Sequence, residues 1–181
     1  MRVFLDTNVL YPSILRGILL GFAQTGYFMP LWSDRVIEEW HRAAMRNETS
    51  AEASIEIALF KNAWASGWVR DVPPLDDLLL PDVDDHHVVE AAVVCGASAV
   101  LTANNSDFPT KTLRRYDLLR FHPDRFLKDA FLANTAVGKN ILEQARMDAE
   151  KRAGQQIALP ALLKRLRLGQ LRKAVLDVKT A

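Results

Sequence analysis

The chain has 181 residues, 49% of them hydrophobic and 25% charged. These proportions describe an ordinary globular protein with one well-packed domain and room for an appendage, and they exclude wholesale disorder. The net charge of +1 hides an uneven distribution: Lys151 to Ala181 carries eight basic residues against the single acid Asp177, so that segment is +7 and the preceding 150 residues are −6. An acidic body with a basic tail suits contact with a polyanion, although a solvated helix face would look the same. The longest apolar runs, such as Ala91 to Cys95, fall far short of the ~20 residues that a membrane span needs, so no membrane partner is expected. Cys95 is the only cysteine. It excludes an internal disulfide and reads as a small buried hydrophobe rather than a catalytic thiol. With no basic n-region or apolar h-region before the first strand, a cytoplasmic setting is expected.

Residues 2–5 read as a buried strand that runs straight into Asp6. Ser13 to Gln24 has helical spacing and is closed by Gly26. Tyr27 to Trp32 fits a second strand, and Ser33-Asp34 caps a helix with Val36, Ile37 and Trp40 on its inner face. A further helix is predicted over 50–66, ended by Gly67, and a strand over 68–72, broken by Pro73-Pro74. Asp82 to Asp85 is an acidic turn in front of a helix that begins at His86 and stops at Gly96. Ala97 to Leu101 is a strand, and 102–109 is the polar loop at its end. The stretch 110–119 is mixed, and Phe121 to Phe126 starts another helix, with Pro123 suited to its first turn. Beyond Leu132 only helices are predicted, over 134–153 and 159–178. Strands alternating with helices argue for an α/β fold with a parallel sheet, organised as a core domain over 1–131 and a basic helical extension over 132–181.

A parallel sheet would gather several acids at one edge. Asp6 and the loop holding Asn104 and Asp107 each follow a strand, and Asp85 begins a helix, so all fall at the carboxyl ends of the strands. Glu38 and Glu39 lie in the helix after the second strand, Glu39 toward the protein and Glu38 toward solvent. Carboxylates brought this close repel one another and are costly to bury unless a cation compensates. Hard divalent ions such as Mg²⁺ or Mn²⁺ take such oxygen ligands, and one or two of them can activate water and stabilise the leaving oxygen of a phosphodiester. No phosphate-gripping glycine loop is present, which favours hydrolysis over nucleotide binding. Thr7, Asn8 and Thr102 suit the orienting of carboxylates or water. The alternative is that the acids are unrelated caps, with Asp6 merely capping the next helix. His86 and His87 are adjacent, point to different faces of a helix and lack a second pair, so zinc is not expected.

These residues carry a resemblance. Leu5-Asp6-Thr7-Asn8-Val9-Leu10 resembles the opening of the PIN-domain ribonucleases, including VapC-type toxins of toxin–antitoxin pairs. Trp32-Ser33, Val36-Ile37 and Glu39 resemble their second acidic motif. Asp82, Asp84-Asp85, His87-Val88 and Ala91-Ala92, followed by Gly96 and by Leu101-Thr102, Asn104 and Asp107-Phe108-Pro109, are similar to the remaining two. The resemblance covers roughly 1–131 and implies a three-layer fold with a central parallel sheet. It implies that Asp6, Glu39, Asp85 and Asp107 form a metal-binding catalytic pocket for one or two Mg²⁺ or Mn²⁺ ions. Asp85 is preferred over Asp84 because the family's acid precedes apolar helix positions by three and four residues, here Val88 and Val89. Many members carry an acid where this chain has Asn104, so either Asn104 or Asp107 supplies the fourth ligand.

The implied activity is metal-dependent hydrolysis of RNA to 5′-phosphate and 3′-hydroxyl products. A non-catalytic PIN-like module that binds RNA or protein is the alternative. A phosphatase of the haloacid dehalogenase class would want Asp-x-Asp at the first strand, and Asp6-Thr7-Asn8 lacks the second acid. In the tail, Leu162, Leu163, Leu166, Leu168, Leu171, Val175 and Leu176 form an amphipathic stripe that needs a partner: the core, a second subunit or an antitoxin. The basic face could steer RNA phosphates, but the tail has no aromatics with which to stack bases.

Overall fold

The computed structural model describes residues 1–47 and 50–180. Five strands, β1 (Arg2–Leu5), β2 (Met29–Ser33), β3 (Trp68–Val69), β4 (Ala99–Leu101) and β5 (Leu119–Phe121), form one all-parallel sheet in the order β3-β2-β1-β4-β5. The helices are α1 (Thr7–Leu10), α2 (Ser13–Gln24), α3 (Asp34–Arg46), α4 (Ser50–Ala63), α5 (His86–Val94), α6 (Thr110–Arg114), α7 (Pro123–Ala133), α8 (Thr135–Ala153), α9 (Leu159–Arg165) and α10 (Gly169–Thr180). This is the expected α/β architecture, a parallel sheet flanked by helices. The chain runs outward from β1 through β2 to β3, then returns to the other side of β1 for β4. The carboxyl ends of β1 and β4 therefore flank a topological switch point, where open parallel sheets place their sites.

Contacts group the chain into two compact units, Met1–Tyr11 with Phe28–Phe121, and Pro12–Tyr27 with His122–Ala181. The reason is packing: α2 lies against α8, and α7 lies against α8 and α10, so both join the C-terminal helices.

The first unit holds the whole sheet. Val3, Phe4 and Leu5 have no exposed surface, matching the unbroken apolar run of a central parallel strand. The Ser33 hydroxyl accepts from the Val36 amide as the predicted cap of α3, and Val36, Ile37 and Trp40 are buried. Trp40 meets Phe60 of α4 edge to face at 5.9 Å. The strand predicted over 68–72 is only two residues long, and Asp71 beyond it has a positive φ of 51°. A Cβ on Gly67 would stand 2.0 Å from the Pro30 carbonyl oxygen, so the chain entering β3 can approach β2 this closely only without a side chain. β5 was not legible in advance, because three residues beside a short helix carry no readable period.

In the second unit, Asn134 caps α8 by accepting from the Val137 amide at 3.1 Å, and Gly154 closes it at φ 66°. The single helix predicted over 159–178 is two helices. Arg167 turns left-handed at φ 59°, the Leu168 amide donates to the Leu163 carbonyl at 2.9 Å, and Leu168 is buried. The new helix start is satisfied from α7: the buried Asp124 accepts from the Gln170 and Leu171 amides, each at 3.0 Å. Leu162, Leu163, Leu168, Leu171 and Val175 of the expected stripe are buried, with α10 against α7 and α9 against α8. That part of the stripe needs no second chain to cover it. Among the described residues, no helix is long and apolar enough to cross a membrane.

Candidate active site

The strand register decides which side chains share the carboxyl edge of the sheet. Phe4 is level with Leu31, Leu5 with Leu101, and Ser33 with Val69. One residue on, Asp6, Ser33, Val69 and Thr102 fall on a common level, and the Asp6 amide donates to the Leu101 carbonyl at 3.1 Å. Asp6 is thus carried to the switch point by β1, with Thr102 beside it on β4.

Asp6 occupies the N-cap position of α1, yet its side chain makes no capping hydrogen bond. Its carboxylate instead accepts from the Thr102 hydroxyl at 2.7 Å and from the Asn8 side-chain amide. Asn8 also donates to the Thr102 oxygen at 3.0 Å, and its own oxygen accepts from the Ala103 amide at 2.8 Å. The reading of Asp6 as a simple cap therefore fails on geometry. Only 4% of the residue is exposed. Burial pushes its pKa above the ordinary 3.8 and the charge of Glu39 adds to the rise; the Thr102 hydroxyl and the nearby amides of Thr7 and Asn8, which lack cap geometry, offset only part of it.

Asp85 stands at the N-cap of α5, after a short 3₁₀ turn over Val83–Asp85, and likewise makes no capping bond. Its carboxyl is pushed up to about 6, first by burial and then by the negative charges of Asp6, Asp107 and Asp82, with His87 pulling partly the other way. Asp84 is exposed and Asp82 accepts from the Asp84 amide at 2.9 Å, which makes Asp82 the turn residue expected. The side-chain amide of Asn104 donates to Asp107, while its oxygen accepts from the Ser106 hydroxyl at 2.7 Å and its backbone amide donates to Thr102 at 3.0 Å. Asn104 thus holds Asp107 in place, with its own carbonyl oxygen engaged by Ser106.

Glu39 sits half-buried on α3 and Glu38 is exposed, as their helix positions required. Thr7 donates to Glu39 Oε2 at 2.6 Å, so Thr7 serves Glu39 rather than Asp6. His87 Nε2 lies 2.9 Å from Glu39 Oε1, but its N–H does not aim along that line: the contact is an ion-pair approach without hydrogen-bond geometry, and both ring nitrogens are buried. Arg35 and Arg42 stand 3.7 and 3.8 Å from the same oxygen. Burial alone would raise the Glu39 pKa, but His87, Thr7 and Arg35 together hold it below the ordinary 4.5. The two arginines went unremarked in the sequence although they lie four residues before and three after Glu39, the spacing at which helix side chains meet.

Asp85 thus feels the charges of Asp6 and Asp107, and Asp6 feels that of Glu39, which is engaged in turn by its own partners. The donor set is all oxygen and rich in carboxyl groups, a chemistry that suits a hard divalent cation. Among the described residues, no three His, Cys, Asp or Glu side chains converge closely enough to share one ion. Cys95 is half-buried, donates to the Ala92 carbonyl at 3.4 Å, and has its thiol pKa raised by burial, which disfavours the reactive thiolate.

Fold and pocket together define an α/β protein that presents clustered carboxyl groups from the switch point of a parallel sheet. The PIN domain family model matches residues 2–106, more than half of the chain, and the chain belongs to that family. PIN domains are nuclease-type domains. The match stops one residue short of Asp107. No curated protein and no solved structure matched the chain.

Proposed function

We propose that this protein is a metal-dependent endoribonuclease, acting in the cytoplasm in the manner of a VapC-type toxin. The observation that carries this reading is the PIN-domain match over residues 2–106, within which Asp6 and Asp85 stand at the carboxyl edge of the sheet and the Asp85 carboxyl is pushed up to about 6 by burial and by the charges of Asp6 and Asp107. An ionised Asp85 beside the charges of Asp6 and Asp107 is unfavourable until a proton or a cation joins it. Asp6, Asp85 and Asp107 would hold Mg²⁺ or Mn²⁺, with Glu39 as the fourth acid. A bound ion of this kind supplies charge neutralisation and Lewis acidity at a phosphate oxygen.

The chain's own residues preorganise that pocket. Thr102 and Asn8 fix the Asp6 carboxylate, and Asn104 fixes Asp107, so little rotamer freedom is left to lose when substrate binds. Thr7 and His87 hold Glu39 at the neighbouring helix. Hydrolysis adds water across the phosphodiester and leaves a 5′-phosphate and a 3′-hydroxyl. RNA is the substrate. An antitoxin protein and a second copy of the chain are the candidate protein partners.

The test is RNA cleavage by wild type, Asp6→Asn and Asp85→Asn, each with Mn²⁺ and with EDTA. Cleavage confined to wild type with Mn²⁺ supports the reading. Equal cleavage by all preparations overturns it.

A second reading is a PIN-like module that binds RNA or protein without cleaving it. It is favoured by the absence, among the described residues, of three side chains converging on one ion. Metal-independent RNA binding with no Mn²⁺ uptake by calorimetry would select it.

A further inference from the structure

The nuclease pocket uses none of the aromatic residues, yet the outer edge of the sheet carries an aromatic–cation cluster beside that pocket. Trp32 of β2 and Trp68 of β3 are register partners, and their rings stack at 5.9 Å with 8° between planes. Trp32 is buried, with its indole N–H donating to the Trp64 carbonyl at 2.9 Å. Trp68 is half-buried on the edge strand, and the exposed Arg70 lays its guanidinium carbon 3.8 Å from the Trp68 ring centroid. A guanidinium cannot fit between two near-parallel rings 5.9 Å apart, so Arg70 covers the outer face of Trp68. The result is a column running from the core to solvent: Trp32, Trp68, then the flat, exposed plane of Arg70.

We propose that Trp68 and Arg70 form a stacking platform for one base of a single-stranded nucleic acid whose backbone leads toward the acidic pocket. Arginine planes and indole rings are the groups on which unpaired bases stack. Charge contributes little to this choice. Asp34 lies 3.4 Å from Lys61 and accepts from the Trp68 indole N–H at 3.0 Å, and Asp71 follows Arg70 in the chain, so the local charges nearly cancel. Position supports it: Arg70 follows Val69, which is level with Ser33 and with the level of Asp6. β3 is two strands from β1, about 10 Å along the edge, a distance of a few nucleotides at about 3.4 Å per stacked base. The tail, read from sequence as a steering element, lacks such aromatics, and this edge supplies them.

The platform rests on the nuclease reading only for where the strand leads, so the experiment separates the two. Binding of a fluorescein-labelled single-stranded RNA of mixed sequence, in EDTA, is measured by anisotropy for the full chain, Arg70→Ala and Arg70→Lys. Both variants should bind about tenfold more weakly, because lysine keeps the charge and loses the plane. An abasic site walked along the oligonucleotide should at one position weaken wild type by a similar factor and leave Arg70→Ala unchanged. DNA of the same sequence showing the same Arg70 dependence would also support the platform. Arg70→Lys binding like wild type, both variants binding within twofold of wild type, a duplex binding as well as the single strand, or no binding by wild type overturns it. Cleavage with Mn²⁺, run in parallel, reports on the nuclease reading. Arg70-dependent binding without cleavage keeps the platform and removes that reading, and cleavage with Arg70-independent binding does the reverse.

Discussion

The two sides of the acidic site treat the same chemical group in opposite ways. On the strand side, burial raises the pKa of Asp6 and Asp85, the charge of Glu39 adds to the rise at Asp6 and those of Asp6 and Asp107 to the rise at Asp85, and neutral donors such as Thr102 and Asn8 supply no counter-charge. On the helix side, Glu39 is also partly buried, yet the Thr7 hydroxyl, His87 and two arginines hold its pKa down. On one side burial and like charge disfavour the ionised carboxyls, whereas on the other a hydroxyl, an imidazole and guanidinium groups favour the ionised form. Proximity of acids alone therefore does not mark a cation site; what matters is whether the chain has already compensated them.

The contrast is broken first by activity. Asp6→Asn and Asp85→Asn should each lower RNA cleavage on the order of 10²–10³-fold, the size of losing one electrostatic stabiliser of a transition state. Glu39→Gln should cost less, about 10–100-fold, as for a group that supports a metal site from its periphery. Equal losses in all three, read from single-turnover rates, would erase the distinction.

Cation binding comes next. Mn²⁺ at about 100 times its Kd should stabilise wild type by about 2.7 kcal/mol. Thermal melts with and without Mn²⁺ should show this gain abolished in Asp85→Asn and largely retained in Glu39→Gln.

Stability without metal should sharpen the same contrast. In EDTA, urea melts should find Glu39→Gln less stable by about 1–2 kcal/mol, because Thr7 loses a charged acceptor and Arg35 and Arg42 lose the charge they face. Asp85→Asn should be no less stable than wild type, since it removes an unfavourable charge. Marked destabilisation by Asp85→Asn would mean that Asp85 is held by contacts of its own.

The smallest effect is on pH dependence. Asp85 keeps its proton to about 6 in the folded state and loses it near 3.8 when unfolded. Between those values the folded form binds more protons, so in EDTA stability falls as pH rises across that window. The loss is on the order of 1–2 kcal/mol after allowance for partial solvent screening. Asp6 contributes with the same sign. Glu39 has the opposite sign: its contribution is present above 4.5 and is lost as pH falls through its lowered value. Asp85→Asn should flatten the upper slope and leave the acid limb in place.

Much of this was legible in the residues. The apolar run into Asp6, the alternation of strands and helices, the Ser33 cap and the inward turn of Glu39 all follow from periodicity and local chemistry, which one segment expresses by itself. β5 and the break at Arg167 were not legible, because three residues carry no period and a left-handed residue other than glycine gives no warning. The extent of the tail's stripe was visible, but what covers it was not.

By itself the sequence determined an α/β chain with acids delivered to the carboxyl ends of its strands, since strand length, polarity and turn chemistry are properties of short segments. Only the tertiary structure decided that Asp6 spends its carboxylate on Thr102 and Asn8 rather than on a helix cap. It alone gave Thr7 and His87 to Glu39, and laid Arg70 over Trp68. Those pairings depend on register between strands and on how a helix rotates about its axis, and a residue's electrostatics are set by the neighbours that such geometry brings to it, however far apart they lie in the chain.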